Sequence, residues 1–235
     1  MRDLIILGGA GGMVVLYQDL REVYPDIKVA ILDERSEAET AVVCRDTLPV
    51  IRDWDFTPAR RFYGLDDNAF RSFLPTFTYP RVKKLLVEKA LARGLAPAPT
   101  FVHPGAKIYG EISCGAGGFI TMGTWIASDA RIGNYVCAGS PSVIGHDVDI
   151  GDYCTIGTNS ALLGFVTLGE GVQVSPGAII RTGIKVAPWV IIGIQAAVVS
   201  DIVKEGITVG GVPAKEIKSR KSGPVPMDRF RPPEP

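Results

Sequence analysis

The hydrophobic pattern of the chain changes character near residue 100. From Val102 onward every sixth residue is apolar: Val102, Ile108, Cys114, Ile120, Ile126, Ile132 and so on to Ile192 and Val198. Seventeen successive positions obey the rule without an insertion. With 46% of all residues apolar, chance gives such a run about once in a million. The residues four places later, from Ala106 and Ile112 to Ala196 and Ile202, are small or aliphatic. This is the six-residue repeat of a parallel β-helix. Each repeat supplies a short strand and a corner, and three repeats close one coil. Coils stack at the strand spacing of ~4.8 Å. The first residue of each repeat points into the prism, while Gly, Asn, Asp, Ser and Pro occupy corners. Residues three repeats apart therefore hold the same place on neighbouring coils.

Before residue 100 the pattern is that of alternating strands and helices. Residues 3–7 (DLIIL) predict a buried strand, the glycines at 8, 9, 11 and 12 a turn, and 13–23 a helix with Met13, Leu16, Leu20 and Val23 on one face. Residues 28–32 (KVAIL) predict a second strand, followed by Asp33 and Glu34. The unit is the start of a Rossmann-like fold. A further strand is expected over 61–65. A helix is expected over 81–93, ended by Gly94 and the Pro97/Pro99 pair. Residues 66–80 carry no readable pattern. Residues 202–217 close the solenoid, with VGGVPAKEI (209–217) read as a turn followed by a short helix. An open solenoid end needs such a cap. The organisation expected is thus 1–99, a Rossmann-like domain; 100–218, a β-helix with its cap; and 219–235, a tail with five prolines and no fixed structure.

Composition narrows the class. The 25 Lys and Arg balance 25 Asp and Glu, which disfavours a nucleic-acid binder. The 27 Gly and 17 Pro fit many tight corners. No apolar run reaches the length of a membrane-crossing helix, so no membrane span is expected. The four glycines near the N-terminus interrupt what could pass for a signal peptide, and a cytoplasmic protein is expected. Four cysteines without a C-x-x-C pair, and only two histidines, argue for free thiols and against a metal site. Outward apolar residues such as Phe119, Trp125 and Trp189 call for cover, and a homotrimer is expected.

IILGGAGG (5–12), FVHPGA (101–106), VIGHDVDIGDYCTIG (143–157) and VGGVPAKEI (209–217) resemble the hexapeptide-repeat acyltransferases. The sequence is most similar to sugar O- or N-acetyltransferases of the NeuD/bacillosamine type. The resemblance implies a mainly β fold, a left-handed parallel β-helix preceded by a small α/β Rossmann-like domain. It implies acyl transfer, with acetyl-CoA as co-substrate, no metal, and a nucleotide-linked sugar as acceptor. Trimers of this family place the active site between subunits.

Acyl transfer from a thioester needs a base for the acceptor's proton and donors for the developing oxyanion. The resemblance assigns His146, in the G-H-D corner, as the base, with Asp147 orienting it. Gly164 lies one full coil further on, at the same corner, and its backbone N–H would hold the acyl oxygen. Pro213 and Lys215 would pass along coenzyme A, with Lys215 near phosphate. Gly9, Gly11 and Gly12 would present amides to a diphosphate at a helix start, and Asp33 and Glu34 would meet a ribose or base. His103 is expected to be structural. The chain departs from the family pattern at Met13, Gly139, Thr155 and Ile194–Gln195. The alternative reading is a trimeric β-helix that binds a nucleotide sugar without turning it over.

Overall fold

The computed structural model describes residues 3–8, 11–33, 36, 38–66, 68–76 and 79–217. The first hundred residues form an α/β unit. Its elements are β1 (Asp3–Leu7), α1 (Gly11–Val23), β2 (Lys28–Leu32), β3 (Thr40–Val43), β4 (Asp46–Ile51), α2 (Thr57–Tyr63), β5 (Ser72–Pro75), α3 (Pro80–Leu91) and β6 (Ala96–Pro97). The sheet runs β3-β4-β2-β1-β5-β6, parallel except between β3 and β4. β1 and β2 are almost continuously apolar because helices or the β-helix cover both faces of the sheet, leaving Leu4 to Leu7 and Val29 to Leu32 buried. The strand order reverses at β1, with β2 on one side and β5 on the other. In such sheets the crevice beyond the strands' C-terminal ends is where ligands bind.

Two expectations are corrected here. Residues 61–65 are not a strand: 61–63 end α2, which starts with Pro58 in its first turn and stops at Gly64. Gly64 has φ 64°, a left-handed conformation that a side chain disfavours, and its N–H donates to the Arg60 and Arg61 carbonyls. The unreadable 66–80 segment supplies β5, a central strand. It is only four residues long and ends in proline, too short for any period to show.

From Phe101 the chain winds as a left-handed parallel β-helix of three sheets, in which each strand pairs in register with the strand one coil away. From Ile120 onward the residues read as inward are buried, in one continuous core. Ile108 and Cys114 are exposed instead. They belong to the first coil, which has no coil beneath it. The other end is closed by an antiparallel hairpin of Thr208–Gly210 with Lys215–Ile217, not by a helix. The Gly210–Gly211 pair turns the chain, and pairing with the last strand satisfies the backbone at the open end.

The residue just before each inward position points outward and gives each face its character. One face presents Phe101, Phe119, Cys137 and Thr155, all buried under the α/β unit. A second presents Trp125, Val143, Ala161, Ile179 and Ala197, an apolar stripe with Trp125 37% exposed. The third presents Ser113, Arg131, Asp149, Thr167 and Lys185. Phe119 and Trp189 were expected to need a partner subunit, but the chain covers them itself. Phe119 packs with α1, and Trp189 lies under cations of α3.

α3 fastens the two parts together. The corner residues Tyr135 and Tyr153, one coil apart, stack at 4.9 Å, and Phe73 of β5 stacks on Tyr135. Gly171 continues the row and leaves room for the Trp189 indole. Arg81 lies 4.9 Å over Trp189; Lys84 lies over both Tyr153 and Trp189 and pairs with Glu170 at 2.7 Å. Lys83 is fully buried, donating to the Cys154 carbonyl (3.0 Å), the Thr155 hydroxyl (3.2 Å) and the Cys137 sulfur (3.4 Å). At the other edge of the covered face, His103 is buried. Its Nδ1 accepts the Gly105 N–H, and its Nε2 lies 3.7 Å from Glu22 of α1, in keeping with a structural role.

Leu162 sits in the core ring between Ile144 and Ile180 of the adjacent coils. Leu162→Ala should cost about 2–5 kcal/mol through lost burial and a cavity the stacked coils cannot close. Thr167→Ala, on the polar face, should change stability by no more than about 0.5 kcal/mol. Urea denaturation of the two variants side by side checks both values.

Candidate active site

The chain passes between the apolar and polar faces at a series of corners, which include 127–130, 145–148, 163–166 and 181–184. In a triangular prism this edge lies opposite the face that the α/β unit covers. The corners are sewn together by one amide each: Asp147 N–H donates to Ser128 O, Phe165 N–H to His146 O, and Gly183 N–H to Gly164 O. The third residue of each corner takes a positive φ: 63° at Asp129, 55° at Asp147, 62° at Phe165 and 77° at Gly183. The second residue's amide is not used in this stitching. Among the described residues the Gly164 N–H makes no backbone hydrogen bond.

His146 stands at this edge with its side chain 53% exposed. Its Nδ1 lies 2.9 Å from Asp147 Oδ2. A carboxylate only accepts, so the bond places a proton on Nδ1, and in the neutral ring Nε2 then carries the lone pair. That lone-pair edge lies over Gly164 of the next coil. A Cβ built on Gly164 would sit 2.5 Å from His146 Nε2 and 2.6 Å from Cε1. Gly164 has no positive φ, so it is the imidazole and not the backbone that requires a glycine here. The one-coil relation read from the sequence thus brings His146, Asp147 and Gly164 together. The arrangement is an oriented base beside an unpaired N–H, the two elements of acyl transfer.

The thiols offer no competing nucleophile. Burial raises the pKa of Cys44, Cys114 and Cys137, and pushes Cys154 up to about 12. Among the described residues no group of three or more His, Cys, Asp or Glu side chains could hold a metal ion, and no helix is long and apolar enough to cross a membrane.

The remaining predicted residues lie elsewhere. Gly11 and Gly12 open α1 directly after β1. Asp33 follows β2, its N–H donating to Ile51 O and its carbonyl accepting from Ser36 N–H. Gly9 and Glu34 lie outside the described residues. Gly11, Gly12 and Asp33 lie at the C-terminal edge of the α/β sheet. Pro213 and the exposed Lys215 belong to the closing hairpin, whose turn bonds to Ala197 through Gly211 O and Ala214 N–H. Ala197 is three strands along the apolar face from Val143, about 14 Å at the strand spacing. The structure therefore groups His146, Asp147 and Gly164, and sets the hairpin and the sheet crevice apart from them. Sequence reasoning missed Lys83. Its signal was its place in the apolar stripe of α3 with Pro80, Val87 and Ala90. Thr155, one of the positions that depart from the pattern of the similar sequences, accepts a hydrogen bond from the Lys83 ammonium.

No protein-family model matches the sequence, and no curated protein matches it. Solved structures do. The perosamine N-acetyltransferase PerB from Caulobacter crescentus, in complex with CoA and GDP-perosamine, is 27% identical, with TM-score 0.77 over 93% of this chain and 98% of that one. A variant of that enzyme with one histidine replaced by asparagine, in the same complex, gives TM-score 0.78. The acetyltransferase domain of PglB from Neisseria gonorrhoeae, in complex with acetyl coenzyme A, is 24% identical, with TM-score 0.77 over 92% of this chain and 99% of that one. WeeI from Acinetobacter baumannii is 20% identical, with TM-score 0.71 over 92% and 100%. The last two share the fold.

Gly164→Ala should melt within a few degrees of the parent, because the clashing atoms belong to an exposed side chain that can turn out into solvent. The new methyl should lift the imidazole off its Asp147 contact. A crystal structure, or the loss of the downfield Nδ1 proton in the NMR spectrum, checks the displacement.

Proposed function

We propose that this chain, a hexapeptide-repeat acyltransferase, moves an acetyl group from acetyl-CoA to an amine or hydroxyl of a nucleotide-linked sugar. The observation that carries the reading is the stacked corner: the His146 lone pair lies over Gly164, with Asp147 fixing the tautomer. His146 Nε2 takes the proton as the acceptor's nitrogen or oxygen attacks the thioester carbonyl in a ternary complex. The Gly164 N–H bonds the oxygen as it gains charge. The carbon–sulfur bond then breaks, and the imidazolium returns the proton to the coenzyme A thiolate. No side chain is acylated. PerB, in complex with CoA and GDP-perosamine, resembles this chain over both parts, which supports a nucleotide sugar as acceptor.

The donor runs along the apolar face toward the closing hairpin, where Pro213 flanks it and Lys215 meets phosphate. The acceptor's diphosphate rests on the amides at Gly9, Gly11 and Gly12, with Asp33 and Glu34 toward its ribose or base. That crevice belongs to the unit covering one face, and His146 stands on the opposite edge of the prism. A sugar bound by one copy therefore reaches the His146 of another. The apolar stripe of Trp125, Val143 and Ile179 supplies the surface on which three copies meet.

His146→Ala should lower thiol release from acetyl-CoA by about 10²–10⁴, measured with GDP-perosamine and a panel of other nucleotide-linked amino sugars, while melting is nearly unchanged. Full turnover by the variant would place the base elsewhere. If no sugar elicits thiol release from the parent yet one of them binds, the chain is the non-catalytic sugar binder. The parent should scatter light as three copies of 25.1 kDa, about 75 kDa in all, and Ile179→Asp should reduce that mass.

A further inference from the structure

Phe165 breaks the chemistry of its own position. It is the third residue of its corner, with φ 62°, where the neighbouring coils carry Asp129, Asp147 and Gly183. Aspartate and glycine tolerate the left-handed region, and a bulky aromatic there is disfavoured. The other large aromatics in this conformation along the β-helix, Tyr135, Tyr153 and Trp189, are engaged by the α/β unit. Phe165 is not. It stands on the opposite edge, 54% exposed, with its ring 4.9 Å from the His146 ring and perpendicular to it. An aromatic side chain left more than half exposed in an unfavourable backbone conformation gives the folded chain little burial in return.

The surroundings of Phe165 indicate what it does. Gly164 separates it from Leu163, whose side chain is also exposed. Gly164, whose N–H makes no backbone hydrogen bond among the described residues, thus sits between two apolar residues, with the Cβ direction of its Cα aimed at the His146 ring. A carbonyl oxygen held by that N–H puts the carbonyl carbon near the imidazole. Asp147 closes the Nδ1 edge of that ring. The alkyl end of the acyl group must then lie along the Leu163–Phe165 wall.

We infer that Phe165 is the acyl-length determinant of the enzyme: its ring closes the end of the acyl slot and restricts the donor to acetyl. The inference rests on the acyl-transfer reading above. Apolar slots discriminate about tenfold or more per methylene, and a rigid ring that must be displaced discriminates further.

The test is a comparison of acetyl-, propionyl- and butyryl-CoA on the full-length parent, Phe165→Ala, Phe165→Gly and Phe165→Tyr. Affinity is measured by calorimetry, which needs no acceptor, and kcat/KM by thiol release with GDP-perosamine. Phe165→Gly suits the positive φ, so a change it shares with Phe165→Ala is not a folding defect. The parent and Phe165→Tyr should prefer acetyl-CoA to butyryl-CoA by about tenfold or more. In Phe165→Ala and Phe165→Gly the preference should fall at least tenfold, through a gain on butyryl-CoA. Variants that bind acetyl-CoA but keep the parent's acetyl-to-butyryl ratio overturn the role of Phe165 and leave the acyltransferase reading standing. A parent that binds no acyl-CoA overturns both.

Discussion

Everything in this molecule depends on the stacking of inward side chains at one strand spacing. Each ring of the core rests on the ring below it, so the chain cannot gain or lose a residue between corners without moving an apolar side chain out of the prism. The uninterrupted run from Val102 to Val198 records that constraint. It also makes geometry out of arithmetic. The contact of His146 with Gly164, the stack of Tyr135 on Tyr153 and the pairing of Leu162 with its neighbours all follow from a separation of one coil. His146 and Gly164 need no loop to bring them together, since the backbone that packs the core also places them.

The same constraint explains what could be read in advance. The β-helix and its corners were legible because seventeen repeats reinforce one another. The α/β unit was legible only where a strand is long and buried on both faces, as in β1 and β2. β5 has four residues and no period, and α2 has seven, with its aromatic and arginine residues spaced in a way that also suits a strand. The closing hairpin was mistaken for a helix because its charged second strand pairs only with the chain just before it. Of the site, the His146–Gly164 relation was legible from the period. The reason for Gly164 was not, because nothing in a sequence distinguishes a glycine kept for φ from one kept for a neighbour's ring.

Contacts between the two parts were the least legible. The corner aromatics look alike along the chain, yet Tyr135, Tyr153 and Trp189 meet cations of α3 or the sheet's own Phe73, while Phe165 meets the imidazole. Which edge a corner occupies is fixed by its count modulo three, and which edge is covered is fixed by where α3 lands. Lys83 shows how firmly it lands. An ammonium taken from water needs all of its donors met, and three acceptors of the β-helix face do so. Removing those acceptors would strand a buried cation, so the clasp resists sliding by a coil in either direction.

Identical coils and a keyed clasp together make the molecule digital along its axis. Whole coils of three repeats can be spliced in or out without disturbing the core, whereas any other length change throws side chains onto the wrong face. Because α3 grips named rungs at Cys137, Tyr153 and Trp189, a coil added beyond them lengthens only the distance from His146 to the closing hairpin. A coil added within them would tear the grip apart. On the proposed acyl-transfer reading, the reach demanded of the donor is therefore set in discrete notches of one strand spacing, adjustable through the number of turns between His146 and Lys215 while the His146–Gly164 corner stays untouched.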